Sequence, residues 1–379
     1  MPEGDTIYRA ARALNRALAG RVVTGFDTGL AKLARVNDDT PLVGRVVDKV
    51  ESRGKWCLIY FSGDLILVTH MLMSGSWHLY RTGERWRMGR SRMRVVVRVG
   101  AAVSGQEADP SASLRDDNLN GLRDDKPKLR DDKSIWQDTG GAVHEVRSFA
   151  AANDTPPYDD GAVVRMGHPN RDASSTVGWE AVAFNVPIAE FHTARSLERS
   201  SQVPKLGPDV LADEFTVEGG VARLEAYGRE HPEAEVAVVL LNQRVLAGLG
   251  NVYKSEVAFA AGVNPWRAMR TVTHAEIEKM VEFSLRYMQA NVIDGKGDGI
   301  VTYAGNRRTT HSMSKEERLW VYGRQGQECR RCGVKVMMRK QGEQARSTYW
   351  CPECQGWVGD GKAPVGNVFK GAGRRKVGC

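Results

Sequence analysis

The sequence predicts an α+β protein of several domains. Three observations point there. The first hundred residues open with one amphipathic helical pattern and then run in β-branched, alternating segments. From about residue 207 the apolar spacing changes to the helical period. Near the C-terminal end stand two Cys-x2-Cys pairs, Cys329/Cys332 and Cys351/Cys354. With 379 residues, 41% of them hydrophobic, there is room for two or three domains and a sizeable core.

The first helix is expected from Asp5 to Gly20. Asp5 or Thr6 would cap it, Ile7, Ala11, Leu14 and Leu18 share a face, and Gly20 ends it. Strands follow in RVVTGF, RVVDKVESRGKWCLIYF, DLILVTHMLMSGSWHLY and RMRVVVRV, with turn signals such as SGD and TGE between them. Cys57 lies in one of these strands and reads as a small core residue. The strand pattern then stops. Residues 101–176 are polar, repeat LRDD three times, and carry 9 Lys/Arg against 14 Asp/Glu, a net of −5. Such a stretch buries too little apolar surface to offset its ordering entropy, so a largely disordered insertion between two strands is expected. Strand signal resumes at GWEAVAFNV. After LGPDVL, helices are expected over EAEVAVVLLNQ, NVYKSEVAFAAG and HAEIEKMVEFSLRYMQANVI, the last with Ile277, Val281, Phe283 or Ser284, and Tyr287 or Met288 spaced for one face. The Gly- and Arg-rich stretch 295–311 reads as a loop, and the tail from Gly361 carries five Lys/Arg and no acid.

The net charge of +8 suits a polyanionic partner, and it belongs to the sequence flanking the acidic stretch. No run of 18 apolar residues and no signal-peptide pattern is present, so neither a membrane span nor secretion is expected. Without a secretory signal, paired CxxC motifs favour a metal over disulfides. Four thiolates suit one tetrahedral zinc and leave no open position, so the site would be structural. Cys379 reads as an inert tail thiol. Arg346 would lie on the hairpin between the two pairs, as a phosphate ligand or as a solvated arginine.

Two further stretches invite chemistry. In MPEGDTIYRAARAL, removal of Met1 would leave the secondary amine of Pro2 next to the carboxylate of Glu3. In LLNQRVLAGLGNVYKSE, the turn AGLG precedes a helix that Asn251 could cap, an arrangement in which backbone N–H groups can approach a phosphate.

PEG at the start, RGKW at 53–56, HMLMSG at 70–75, LGPDVL, AGLGNVY and a terminal CxxC…CxxC occur in this order. The set resembles the formamidopyrimidine-DNA glycosylase/endonuclease VIII family over about residues 1–100 and 177–358. PEGDT is closer to the openings of the endonuclease VIII branch than to the PELPE of the other branch. The resemblance implies an N-terminal β-sandwich with a long helix (1–206, including the insertion), a helix-two-turn-helix DNA-binding domain (207–322), a zinc finger (323–358) and a basic flexible tail (359–379). It implies a monomeric, cytoplasmic, nucleoid-associated repair enzyme acting on damaged double-stranded DNA.

By the same resemblance Pro2 is the nucleophile at C1′ of the damaged nucleoside, and Glu3 the acid/base. Lys55 assists β-elimination and holds a phosphate. Arg346 serves the lesion-side phosphate and δ-elimination. Met73 is the wedge that fills the gap left by a flipped base, helped by Met71 or Leu72. His70, Asn251 and Lys205 contact phosphates. The expected function is a bifunctional DNA glycosylase/AP lyase for oxidised bases, chiefly pyrimidines. The rivals are an oxidised-purine glycosylase of the same family and a zinc-finger DNA-binding protein without catalysis. Departures from the family pattern are the acidic insertion, an 18-residue gap between the cysteine pairs, a lysine at 205 in place of arginine, and Leu72 and Ser74 where endonuclease VIII relatives carry a polar residue and an aromatic.

Overall fold

A computed structural model describes residues 2–100, 178–200, 203, 205–293, 309–310 and 319–358. The acidic stretch 101–176, nearly all of the predicted loop 295–311 and the basic tail 359–379 lie outside the described residues. Helix α1 spans Gly4–Leu18, and Ile7, Ala11, Leu14 and Leu18 are buried on one face. Its start corrects the expected cap. The N-cap position is Glu3, not Asp5 or Thr6, and no side chain caps this helix. Gly20, at φ +73°, turns the chain away just past its end.

Eight strands form the predicted sandwich: β1 (Val23–Thr28), β2 (Val47–Arg53), β3 (Trp56–Phe61), β4 (Leu65–His70), β5 (Ser76–Arg81), β6 (Met93–Val99), β7 (Trp179–Phe184) and β8 (Ile188–His192). They pair antiparallel as β1-β6-β7-β5 and β2-β3-β4-β8. Val95, Val97, Ala181 and Ala183 of one sheet meet Cys57, Ile59, Phe61 and Leu67 of the other, and the apolar face of α1 joins the same core. Each large aliphatic side chain buried there contributes roughly 1.5–3 kcal/mol. Helix α2 (Ala31–Asp39) had no sequence signal, since Leu33 is its one buried residue. A five-residue helix α3 (Ala194–Glu198) follows β8.

Two connections carry the RGKW and HMLMSG motifs. The segment RVVDKVESRGKWCLIYF folds back at Gly54 and Lys55, with Gly54 at φ +57°. The segment DLILVTHMLMSGSWHLY splits into β4 and β5, which belong to different sheets, so residues 71–75 bridge the two layers. His70 pairs with Trp56 in one sheet, while Ser76 and Met93 both pair with Phe184 in the other.

The helical part contains α4 (Val217–Glu230), α5 (Val236–Leu241), α6 (Asn251–Ala260) and α7 (His274–Ile293). Helix α4 escaped notice because Gly219, Gly220 and Gly228 break its pattern. Gly220 permits close packing, since a Cβ there would lie 2.8 Å from Val281. Helix α5 is shorter than EAEVAVVLLNQ suggested. Asn242 leaves the helical conformation and its side chain accepts from Arg244 N–H, a local bond that competes with the helix. Helix α7 keeps the expected face, with Ile277, Val281, Ser284 and Met288 buried. Strands β9 (Met337–Gln341) and β10 (Arg346–Trp350) form the hairpin between the cysteine pairs. Among the described residues no helix is long and apolar enough to cross a membrane.

Candidate active site

The N-terminus is held by a helix nearly 250 residues away. Glu3 is fully buried, and its carboxylate accepts from Val252 N–H at 2.9 Å and Tyr253 N–H at 3.4 Å, in the first turn of α6. Glu3 therefore caps α6 from another part of the chain. This corrects two expectations. Asn251 is the first helical residue rather than the cap, and two of the N–H groups expected to meet a phosphate are occupied by a carboxylate. Gly4 N–H donates to Gly248 O at 2.9 Å beside it. The glycines of AGLGN are required sterically. A Cβ on Gly250 would fall 2.2 Å from the Glu3 carboxyl carbon, and Gly248 sits at φ +101°. Pro2, buried next to Glu3, shares this location.

LGPDVL is the strut that brings Lys55 in. Asp209 accepts from Gly54 N–H at 2.6 Å and from Leu211 N–H at 3.1 Å. Ala247 N–H donates to Pro208 O at 2.9 Å. The turn bearing half-buried Lys55 is thereby tied to the turn that seats Glu3. Burial pushes the Asp209 carboxyl up, while its two backbone donors oppose the shift. Lys205 stands exposed at the head of the strut.

His70 ends β4, packed edge-on against Trp56 at 4.7 Å. Its Nδ1 accepts from Leu72 N–H at 3.0 Å, so the ring proton sits on Nε2. Burial, and then the charge of Lys55, hold its pKa down to about 4. At neutral pH it is an uncharged donor. Leu72 adopts φ +45°, a conformation costly for a γ-branched residue. Gly75 closes the turn, where a Cβ would lie 2.7 Å from Met71 O. The result exposes Leu72 by 44% and Met73 by 62%. Met71 is 2% exposed and belongs to the sandwich core, so it is not the second wedge residue that the sequence allowed.

Helix α6 carries more than its motif suggested. Lys254 is 1% exposed, and among the described residues no hydrogen bond or ion pair to its ammonium is found. Burial, and then Arg346, bring its pKa down to about 7, with Glu3 acting the other way. Arg346 stands half-exposed at the start of β10, its guanidinium bonded to Gln344. Ser255 Oγ accepts from Tyr349 N–H. Glu256, fully buried, accepts from the N–H groups of Trp320, Val321 and Tyr322 and from Thr309. Asn251 is 6% exposed and its amide donates to Tyr322. Lys254, Glu256 and Asp209 were missed in the sequence. The available signal for Lys254 and Glu256 was a pair of charged residues inside the largely apolar run NVYKSEVAFA, and for Asp209 its place in the LGPDVL motif.

The four cysteine sulfurs lie within 4.8 Å of one another, with Cys329–Cys354 at 3.9 Å and Cys332–Cys351 at 3.4 Å. A tetrahedron with metal–sulfur bonds of about 2.3 Å has edges of about 3.8 Å, so the cluster fits a metal ion. Arg331 N–H and Cys354 N–H point at sulfurs of Cys329 and Cys351, a second layer suited to thiolates.

Comparison with known proteins places this arrangement. A family model described as the formamidopyrimidine-DNA glycosylase N-terminal domain matches residues 1–110, and one for the H2TH domain of the same family matches 206–302. The chain is 30% identical over 357 residues to a probable endonuclease 8 2 of Streptomyces coelicolor, covering 94% of each protein. This chain belongs to the formamidopyrimidine-DNA glycosylase/endonuclease VIII family. The DNA-(apurinic or apyrimidinic site) lyase Nei2 of Mycolicibacterium smegmatis is 28% identical over 94% of this chain and 99% of its own. The fold is shared with Lactococcus lactis formamidopyrimidine-DNA glycosylase bound to abasic-site DNA, with a TM-score of 0.59 at 16% identity, covering 94% of this chain and all of that one. In this family member the turn that seats Glu3 lies inside the helix-two-turn-helix match.

Proposed function

We propose that this chain is a bifunctional DNA glycosylase and abasic-site lyase of base excision repair, acting on oxidised pyrimidines in duplex DNA. The observation that carries the reading is the burial of Pro2–Glu3 against α6, with the Lys55 turn strapped to the same place through Asp209. The names of the full-length relatives, endonuclease 8 and abasic-site lyase, support it.

In this reading the Pro2 amine, freed by loss of Met1, attacks C1′ and the damaged base departs with a proton. Glu3 protonates the ring oxygen of the sugar, which opens as the iminium forms. The iminium acidifies the C2′ hydrogen, and loss of that proton expels the 3′ phosphate. Loss of a C4′ proton then expels the 5′ phosphate. Lys55 and Arg346 hold these phosphates, and His70 donates to one as a neutral imidazole. Lys254 lies within electrostatic reach of both Glu3 and Arg346. Leu72 and Met73 fill the space left by the flipped nucleoside. Cys329, Cys332, Cys351 and Cys354 hold one zinc, which supplies folding energy to the finger and no chemistry.

Borohydride trapping on a duplex carrying an oxidised pyrimidine tests the mechanism. Wild type should give a covalent adduct and Pro2→Gly none. An equal adduct with both would remove Pro2 as nucleophile. An adduct formed only on oxidised-purine DNA would keep the class and change the substrate. No adduct on either, with salt-sensitive binding retained, would favour a binding protein. Cys351→Ser, or prolonged chelation, should unfold the finger and weaken DNA binding at least tenfold. Unchanged affinity and protease resistance would refute the structural zinc.

A further inference from the structure

The connection between β5 and β6, ERWRMGRSRMR, has no part in the chemistry above. It places five arginines between residues 85 and 94 with no acid among them. Arg85, Arg87, Arg90 and Arg92 are exposed, and among the described residues none forms an ion pair. Of the carboxylates that border it, Glu84 accepts from Arg81 N–H and closes its own turn, and Glu180 is taken up by Trp86 and Arg98.

The connection is mounted rigidly. Trp86 Nε1–H donates to Glu180 at 3.0 Å, and its ring packs edge-on against Phe184. Arg87 N–H donates to Tyr80 Oη at 3.1 Å. Asn185 N–H donates to Arg92 O at 2.8 Å. With the backbone already ordered, binding a ligand costs only the ordering of the arginine side chains and not of the loop, which favours an anion site here.

Sheet register fixes where these charges sit. Ser76 and Met93 flank Phe184 in the same sheet, two strand spacings or roughly 10 Å apart. The 71–75 turn enters Ser76 and the Arg90–Arg92 turn enters Met93, so both emerge from one end of that sheet. Lys55 and His70 emerge from the other sheet, where Trp56 pairs with His70, and the 71–75 turn runs from that sheet end to Ser76. Sheets of a sandwich stack about 10 Å apart. A duplex astride Leu72 and Met73 with its lesion strand on Lys55 would therefore bring its second strand toward Arg90 and Arg92.

We infer that Arg90 and Arg92 bind backbone phosphates of the undamaged, complementary strand and so set a requirement for duplex DNA. This rests on the glycosylase reading, with Leu72 and Met73 as wedge. The two arginines are positioning residues, remote from the reacting atoms.

The test is a cycle between protein and DNA. Arg90→Ala/Arg92→Ala is paired with a duplex containing an abasic-site analogue, in which the complementary-strand phosphates nearest the lesion are replaced by neutral methylphosphonates. Removing the arginines should weaken binding to the ordinary duplex by about tenfold and lower the salt slope by about 2. Neutral phosphates should weaken wild type similarly and cost the variant little more. Additive losses would overturn the inference, as would a variant sensitive only to neutralised lesion-strand phosphates. Thermal unfolding checks that the variant keeps its fold, and single Arg90→Lys and Arg92→Lys variants, which keep the charge, should restore the salt slope. Borohydride trapping by wild type on the same sequence with an oxidised pyrimidine separates the two readings. Trapping with additive losses removes only the arginines' role. No trapping removes the glycosylase reading itself.

Discussion

The seat of Glu3 and the 71–75 turn are both glycine-dependent turns, and they are opposites. In the first, Gly250 yields its side-chain space to a buried carboxylate whose hydrogen bonds are already made. In the second, Gly75 closes a turn that pushes Leu72 and Met73 into solvent, with Leu72 in a left-handed conformation. The first is complete in the free protein. In the proposed function the second acquires partners only when DNA arrives. Groups that must be aligned for bond making are fixed in advance by packing, and groups that read a ligand's shape are left bare.

The strongest way to break this contrast is Gly250→Ala. The added methyl cannot coexist with Glu3 in its seat, so cleavage should fall by roughly 10²–10⁴, the range for losing a positioned acid/base. Stability should fall by about 2 kcal/mol through overpacking. Single-turnover cleavage and urea unfolding measure the two, and a variant with normal values of both would show that the seat is not needed. Met73→Ala should do the reverse. A side chain this exposed contributes little to folding, so the unfolding midpoint should stay put, while cleavage of lesion duplex falls about tenfold. A drop in stability equal to that of Gly250→Ala would erase the distinction.

Lys254 sharpens the same comparison through pH. Burial holds it near 7, against an ordinary 10.5, so between those values the unfolded chain takes up a proton that the folded chain refuses. Its contribution to stability is full above about 10.5 and is lost as pH falls toward 7. Lys254→Met should flatten that part of the stability curve. An unchanged slope in urea titrations over this window would place the titration elsewhere.

What was legible in the sequence was local. The CxxC spacing, the sandwich strands and the long helix α7 each reveal themselves within a few residues. The seat of Glu3 did not, because its donors lie 249 and 250 positions away. Asp5 and Thr6 are ordinary cap residues, and only the folded chain shows that the decisive cap belongs to a different helix. The resemblance singled out Met73 and left Met71 and Leu72 open as its helper. The positive φ at Leu72 decides which of them face solvent. Glu256 drew no notice in the sequence, and only the folded chain shows three N–H groups of the segment leading into the finger converging on it.

The contact between Glu3 and α6 also imposes a schedule. A ribosome adding about 5–20 residues per second needs on the order of 10–50 s to pass from the second codon to the helix that receives Glu3. By the end of that interval all eight sandwich strands have been made, while the chain's first residues still have no seat. An unfinished chain would thus carry the amine without the scaffold that aims it, and the ability to cut DNA would arrive late in synthesis, after the helix-two-turn-helix has emerged.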